Sequence, residues 1–230
     1  MKEKICLALD VSSRKEAMDL VRPLRDLTGM FKVGMQLFTA EGPSLIREII
    51  GVGGKVFLDL KFHDIPNTVK SAAVEAARLG VSMMTIHTTG GTGMMQAVAR
   101  DLHEKFGTAK PLVVGVTVLT SLDDKALGDM GIASGMDTQV VRMAKLAESS
   151  GLDGVVCSPR EIQMIRAALR LDFKIVTPGI RMSGQSMDDQ QRTATPREAV
   201  TAGADYIVVG RAVTHAPDPR SALETLLQGL

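Results

Sequence analysis

The chain has 230 residues, 45% of them hydrophobic, with 27 basic and 26 acidic side chains and a formal net charge of +1. That is enough length for a sizeable core, and one-domain α/β barrels commonly run near it; the balanced charge excludes the strongly basic surface of a nucleic-acid binder. No apolar run reaches the ~18–20 residues of a membrane span, and 3% aromatic residues with no Trp argue against base-stacking or sugar-stacking platforms.

Met1-Lys2-Glu3-Lys4 runs straight into a short apolar stretch, without a signal-peptide cleavage pattern, so a cytoplasmic protein is expected. From there short apolar runs alternate with amphipathic ones. Strands are predicted over 5–9, 31–33, 56–60, 83–86, 112–118, 154–157, 174–177 and 206–209. Between them lie helical patterns such as 13–27, 68–79, 138–149 and 159–169. The strand runs are rich in Val, Ile and Leu, as buried parallel strands are. Eight strands, each followed by helical sequence, is the arithmetic of an α/β chain folded as a (β/α)8 TIM barrel. The expectation is one domain over 1–230. A doubly wound open sheet is the structural rival, but eight nearly even units favour closure. Gly80, Gly151 and Gly203 each precede a strand, as helix-ending glycines do. Two longer irregular stretches, 120–137 after the fifth strand and 178–196 after the seventh, would lie at the C-terminal face where barrels build their sites.

Charges stand where a core strand should be apolar. In Phe57-Leu58-Asp59-Leu60-Lys61-Phe62-His63-Asp64 the period of two puts Asp59 and Lys61 on one face and Leu58, Leu60 and Phe62 on the other. The apolar face must meet the helices, so the charged face points into the barrel, where isolated charges are costly and pairing is expected. Lys32 interrupts the second apolar run, and the first ends at Asp10. Lys32, Asp59, Lys61 and Asp64 would make a neutral alternating array. Each also has a plainer reading. Asp10, ahead of Ser12 and Ser13, and Asp64, ahead of Ile65-Pro66-Asn67, both suit helix capping. A lone strand lysine such as Lys32 can snorkel to a rim. Asp59 and Lys61 together can be a structural ion pair.

The seventh run ends in Thr177-Pro178-Gly179-Ile180-Arg181 and the eighth in Val208-Val209-Gly210-Arg211. Barrels often bind phosphate with the loops after these strands. The glycines permit close backbone approach, and Arg181 and Arg211 can each hold phosphate oxygens bidentately. Gln190, in the long seventh loop, reaches such a ligand if the loop closes. His63, His87 and His215 read as structural. Cys6 and Cys157 read as buried thiols. No metal-ligand spacing is present, so no metal and no cofactor is expected.

These motifs resemble one family. Leu58-Asp59-Leu60-Lys61-Phe62-His63-Asp64-Ile65-Pro66-Asn67-Thr68 looks like the signature segment of the orotidine 5′-monophosphate decarboxylases. Ala8-Leu9-Asp10, Phe31-Lys32-Val33-Gly34, Val116-Thr117-Val118-Leu119-Thr120-Ser121, Val176-Thr177-Pro178-Gly179-Ile180-Arg181 and Val209-Gly210-Arg211 follow the family's order over the whole chain. The resemblance implies a cofactor-free enzyme that converts orotidine 5′-monophosphate to UMP, with Lys61 as proton donor. It implies a homodimer with active sites at the subunit interface, where Lys32, Asp59 and Lys61 meet Asp64 of the partner chain. By the same resemblance Asp10 and Lys32 hold ribose hydroxyls, and Thr68, with Ile65 beside it in the segment, reaches the site from the partner. Thr120 and Ser121 lie at the pyrimidine edge. Pro178, Arg181, Gln190, Gly210 and Arg211 surround the phosphate. Met182 stands where many members have proline, which bears on loop stiffness. A Mg²⁺-dependent sugar-phosphate decarboxylase or synthase of the same barrel group is the first rival reading. A non-catalytic nucleotide-phosphate binding barrel is the second.

Overall fold

The computed structural model describes residues 1–181 and 193–230. Eight parallel strands, β1 (Ile5–Ala8), β2 (Met30–Gly34), β3 (Val56–Phe62), β4 (Met83–His87), β5 (Leu112–Val116), β6 (Gly154–Val156), β7 (Lys174–Thr177) and β8 (Tyr206–Val209), pair in sequence order. Last pairs with first, Ile5 opposite Ile207, and the sheet closes into a barrel. The helices outside it are α1 (Arg14–Leu24), α2 (Met35–Gly51, kinked at Gly42), α3 (Pro66–Arg78), α4 (Gly91–Phe106), α5 (Asp124–Asp129), α6 (Met136–Ser149), α7 (Ile162–Ala168), α8 (Pro196–Ala202), α9 (Arg211–Thr214) and α10 (Pro219–Gln228). This is the (β/α)8 architecture, and the open-sheet alternative falls with the β1–β8 pairing. Gly80, Gly151 and Gly203 all take positive φ where a helix gives way to the next strand, as expected of them.

Three expectations need correction. The fifth strand stops at Val116, where its pairing with β6 ends: the Thr117 N–H makes the last ladder bond, to the Val156 carbonyl, which also takes the Thr117 hydroxyl. The stretch 120–137 is not wholly irregular: it contains α5, started by Asp123, whose carboxylate accepts the Ala126 N–H. Neither Asp10 nor Asp64 caps a helix. Ser13 caps α1, and the cap position of α3 is Ile65, with no side-chain cap bond.

Period two sorts the strands into an outer and an inner face. Ile5, Leu7, Val56 and Leu58 pack outward into the large core between barrel and helices. Cys6, Met30, Phe57, Met83, Val114 and Val176 fill the barrel itself as a separate apolar plug. Burial pushes the Cys6 thiol up to about 12, against the pull of Lys32, and neither cysteine is in a disulfide. Two residues further along β1, β2, β3 and β4 come Ala8, Lys32, Asp59 and Thr85. The charges therefore begin one layer above a dry plug, on the side where the strands end.

The opposite face is stitched by two equivalent aspartates. Asp153, just before β6, accepts the Val113 N–H at 2.8 Å and pairs with Lys110; Asp205, just before β8, accepts the Ile175 N–H at 2.8 Å and pairs with Arg166 and Lys174. Arg166, on α7, also donates to the carbonyls of Gly203 and Phe173. It ties one helix to the entrances of two strands. Arg166→Met keeps the aliphatic stem and removes these bonds. It should lower stability by about 2–3 kcal/mol, or roughly 5–10 °C in Tm, with activity per folded molecule unchanged; an unaltered Tm in a thermal melt would contradict that role.

Candidate active site

The C-terminal mouth of the barrel opens on a cavity of about 590 Å³, within the range of small-molecule sites. Its floor is apolar, from Ala8, Phe57, Val156, Val176 and Val208. Its rim carries Asp10, Lys32, Asp59, Lys61, Thr120, Ser121, Pro178, Arg181, Gly210 and Arg211. Ten positions that the sequence singles out thus meet in one place, though they come from six strands. Because the strands follow one another around the barrel, β3 with Asp59 and Lys61 stands across the mouth from β7 with Arg181. The Arg181 backbone N–H is held by the Ala194 carbonyl, which anchors the exit of β7.

The charges form a chain around the rim. Lys32 Nζ lies 3.2 Å from Asp10 Oδ1 and 3.6 Å from Asp59 Oδ2, and Lys61 Nζ lies 2.8 Å from Asp59 Oδ1. Asp59 and Lys32 keep 13% and 12% of their side-chain exposure, Lys61 26% and Asp10 58%. Stripping water from a lone ion costs several kcal/mol. A unit pair at this separation gains about 4 kcal/mol at an effective dielectric near 20. One partner is therefore a poor exchange for the two most buried members, and each has two: Asp59 two cations, Lys32 two carboxylates. Burial alone would raise the Asp59 pKa, but Lys32, Lys61 and hydrogen bonds from Lys61 and Thr85 outweigh it and hold the carboxyl below its usual value.

Two details make room for this chain. Gly34 lies level with Asp59 across β2 and β3, and a Cβ there would sit 3.3 Å from Lys32 Nζ. A side chain at 34 would press on the ammonium that bridges Asp10 and Asp59. Lys61 has φ 52°, the one non-glycine residue at positive φ among the described residues. Such strain costs about 1–3 kcal/mol and persists only when its surroundings enforce it.

Within one chain the alternation of Lys32, Asp59 and Lys61 is continued by Asp10. Asp64, expected from the partner chain, does not join it from its own. Asp64 lies beyond the end of β3, is exposed, and accepts the Ile65 N–H at 2.6 Å. Ile65, 67% exposed, and Thr68 share that outer side, and none of the three lines the cavity. Gln190 and Met182 lie outside the described residues. Sequence reasoning missed Thr85, a fully buried hydroxyl that donates to Asp59 at 3.0 Å. The available signal was a polar residue at an inward position of Met83–His87. The rings of His63 and His87 meet in a tilted contact, their centres 5.3 Å apart. Burial foremost, then the charges of His63 and Lys61, keep His87 below its usual pKa against Asp59. Among the described residues no group of three or more His, Cys, Asp or Glu could hold a metal ion, and no helix is long and apolar enough to cross a membrane.

Comparison with known proteins adds to this geometry. Residues 3–226 match the model of the orotidine 5′-phosphate decarboxylase / HUMPS family. The orotidine 5′-phosphate decarboxylase of Syntrophotalea carbinolica is 49% identical over 230 residues, covering 99% of this chain and 94% of that relative. That of Geobacter sulfurreducens is 50% identical over 227 residues, covering 98% and 95%. The crystal structure of orotidine 5′-phosphate decarboxylase from Lactobacillus acidophilus superimposes with a TM-score of 0.86 at 37% identity, over 97% of each chain.

The Asp59 environment gives a stability prediction with a sign. A depressed folded pKa means the stabilisation is complete above the ordinary 3.8 and is lost as pH falls through the lower folded value. Asp59→Asn leaves Lys32 and Lys61 facing a neutral amide. Its deficit against the wild type should be about 1–3 kcal/mol at neutral pH and should close in acid below that value. Denaturant melts at several pH values read this directly, and a gap that widens toward acid would contradict the assignment.

Proposed function

The chain belongs to the orotidine 5′-phosphate decarboxylase / HUMPS family, and from that premise we propose how its site decarboxylates orotidine 5′-monophosphate to UMP in pyrimidine biosynthesis. Loss of CO₂ from C6 leaves an electron pair in the plane of the ring, with no carbonyl placed to delocalise it well. The chain meets that charge with electrostatics. Lys61 is an ammonium already fixed 2.8 Å from Asp59 at the cavity wall, so little reorganisation is needed as negative charge develops at C6. Lys61 then transfers a proton to C6, and Asp59 keeps it aimed. The Asp59–Lys61 pair above a dry apolar floor is the observation that carries this reading.

The other rim residues take the remaining substrate groups. Asp10 and Lys32 hold ribose hydroxyls. Thr120 and Ser121 meet the pyrimidine edge. Pro178, Gly210, Arg181, Arg211 and Gln190 hold the phosphate. Binding energy from that remote phosphate assembles the site and raises the rate of the chemical step. Neither a metal nor another cofactor takes part. The protein acts in the cytoplasm as a single barrel domain over 1–230 and as a homodimer with sites at the interface. The exposure of Ile65 beside Asp64 and Thr68 supports this, since an apolar side chain next to signature polar residues suits a partner-covered face. Across that face Asp64 of the partner chain adds a carboxylate beside Lys61, and Ile65 and Thr68 of the partner close the ribose side.

Co-expression of Lys61→Ala with Asp64→Ala tests both the donor and its partner. Each variant alone should lose at least ~10⁴-fold in kcat, as the loss of a proton donor and a fixed charge implies. Half the mixed dimers are heterodimers with one intact site, so activity should return to about a quarter of wild type. A mixture as inactive as its parents would place Asp64 in its own chain's site, and a nearly normal Asp64→Ala would place it outside the chemistry. The assay, loss of orotate-type absorbance, is run with chelator present. A loss of wild-type activity that Mg²⁺ restores would instead favour the sugar-phosphate branch.

A further inference from the structure

The pairing of β3 with β4 breaks where the charges begin. Phe57 and Leu58 lie opposite Met83 and Met84, but Phe62 lies opposite Ile86. Residues 59–61 of β3 therefore face one residue of β4, Thr85. The surplus turns Lys61 into its positive-φ conformation and takes its backbone N–H out of the regular ladder. A buried N–H needs another acceptor there. Thr85 Oγ1 is that acceptor, at 2.8 Å. The same hydroxyl donates to Asp59 Oδ1 at 3.0 Å, the oxygen that also takes Lys61 Nζ at 2.8 Å.

We propose that Thr85 is a positioning residue for the decarboxylation: its hydroxyl fixes Lys61 at both ends, the backbone directly and the ammonium through Asp59. Thr85 is fully buried and does not line the cavity, so it acts through these two neighbours and not on substrate. A hydroxyl is suited to the task because it accepts and donates at once. Valine has the same shape and can do neither. It would leave the Lys61 N–H unpaired and take one donor from Asp59, while filling the same space.

The inference rests on Lys61 as proton donor, and the test separates the two claims. The kcat, the KM for orotidine 5′-monophosphate and the affinity for UMP are measured for wild type, Thr85→Val, Thr85→Ser and Lys61→Ala. Thr85→Val should lower kcat by about 10–100-fold, the scale of a catalytic group misplaced by about 1 Å, with KM and UMP affinity within about 3-fold. Thr85→Ser, which keeps the hydroxyl, should stay within about 3-fold of wild type. If Thr85→Val does not fold, Thr85→Ala gives the same contrast with Thr85→Ser. A normal kcat without the hydroxyl, a fall in Thr85→Ser as deep as in Thr85→Val, or a change confined to KM would each overturn the proposal. A nearly normal Lys61→Ala would overturn the reading of Lys61 instead.

Discussion

Asp59 is a carboxylate set inside a barrel, and the surrounding structure is arranged to keep it ionised there. Lys32 reaches it from β2 and Lys61 from its own strand, while Thr85 reaches it from β4. That requires β2, β3 and β4 side by side, with the pairing of β3 and β4 shifted so that Thr85 faces Asp59. Gly34 leaves space beside Lys32, where a side chain would crowd its ammonium. The arrangement also requires an apolar plug beneath, so that the charges look up into the cavity and do not leak into solvent below. Remove Asp59 and two ammonium groups repel across the mouth. Keep it and the cations are held in place before any ligand arrives.

The same arrangement shows where stability and chemistry compete. A left-handed Lys61 and two lysines close together are each unfavourable for folding alone. The large outer core, the closed ladder and the stitched lower face offset them. The division is spatial. Contacts that hold the barrel shut, such as Arg166 with Asp205, lie where the strands begin, while strain and unbalanced charge lie where they end. Functional variation at the mouth is thereby separated from the contacts that keep the fold.

Much of this was legible in the sequence, and the parts that were not have physical reasons. The strand runs were readable because buried parallel strands are nearly continuous Val, Ile and Leu, and the structure matches them to within two residues at either end. β5 was overread because Thr117-Val118 continues the apolar pattern after the ladder has ended. The helix α5 was missed because it is six residues long, contains a glycine and offers no periodicity to count. Asp59 and Lys61 were legible because charge on an inward strand face has few explanations. Asp64 is different: spacing alone gives it no place in its own chain's mouth, since the strand stops at Phe62 and the chain turns outward, and only the family resemblance assigns it to the partner's site. Asp10 takes that place within the chain, four residues along β1's inward line from Cys6. Thr85 escaped notice because a hydroxyl among apolar residues carries little signal, and because the register shift that gives it meaning exists only once β3 and β4 are paired.

If a fixed Lys61 ammonium stabilises and protonates a carbanion at C6, the reverse proton transfer runs on the same group, without decarboxylation. UMP incubated with the enzyme in deuterated buffer should exchange its C6 hydrogen, followed by NMR, at a rate that collapses in Lys61→Ala while UMP still binds. Exchange at an equal rate without Lys61 would show that another group makes the carbanion accessible, and the account built on this charge array would fail.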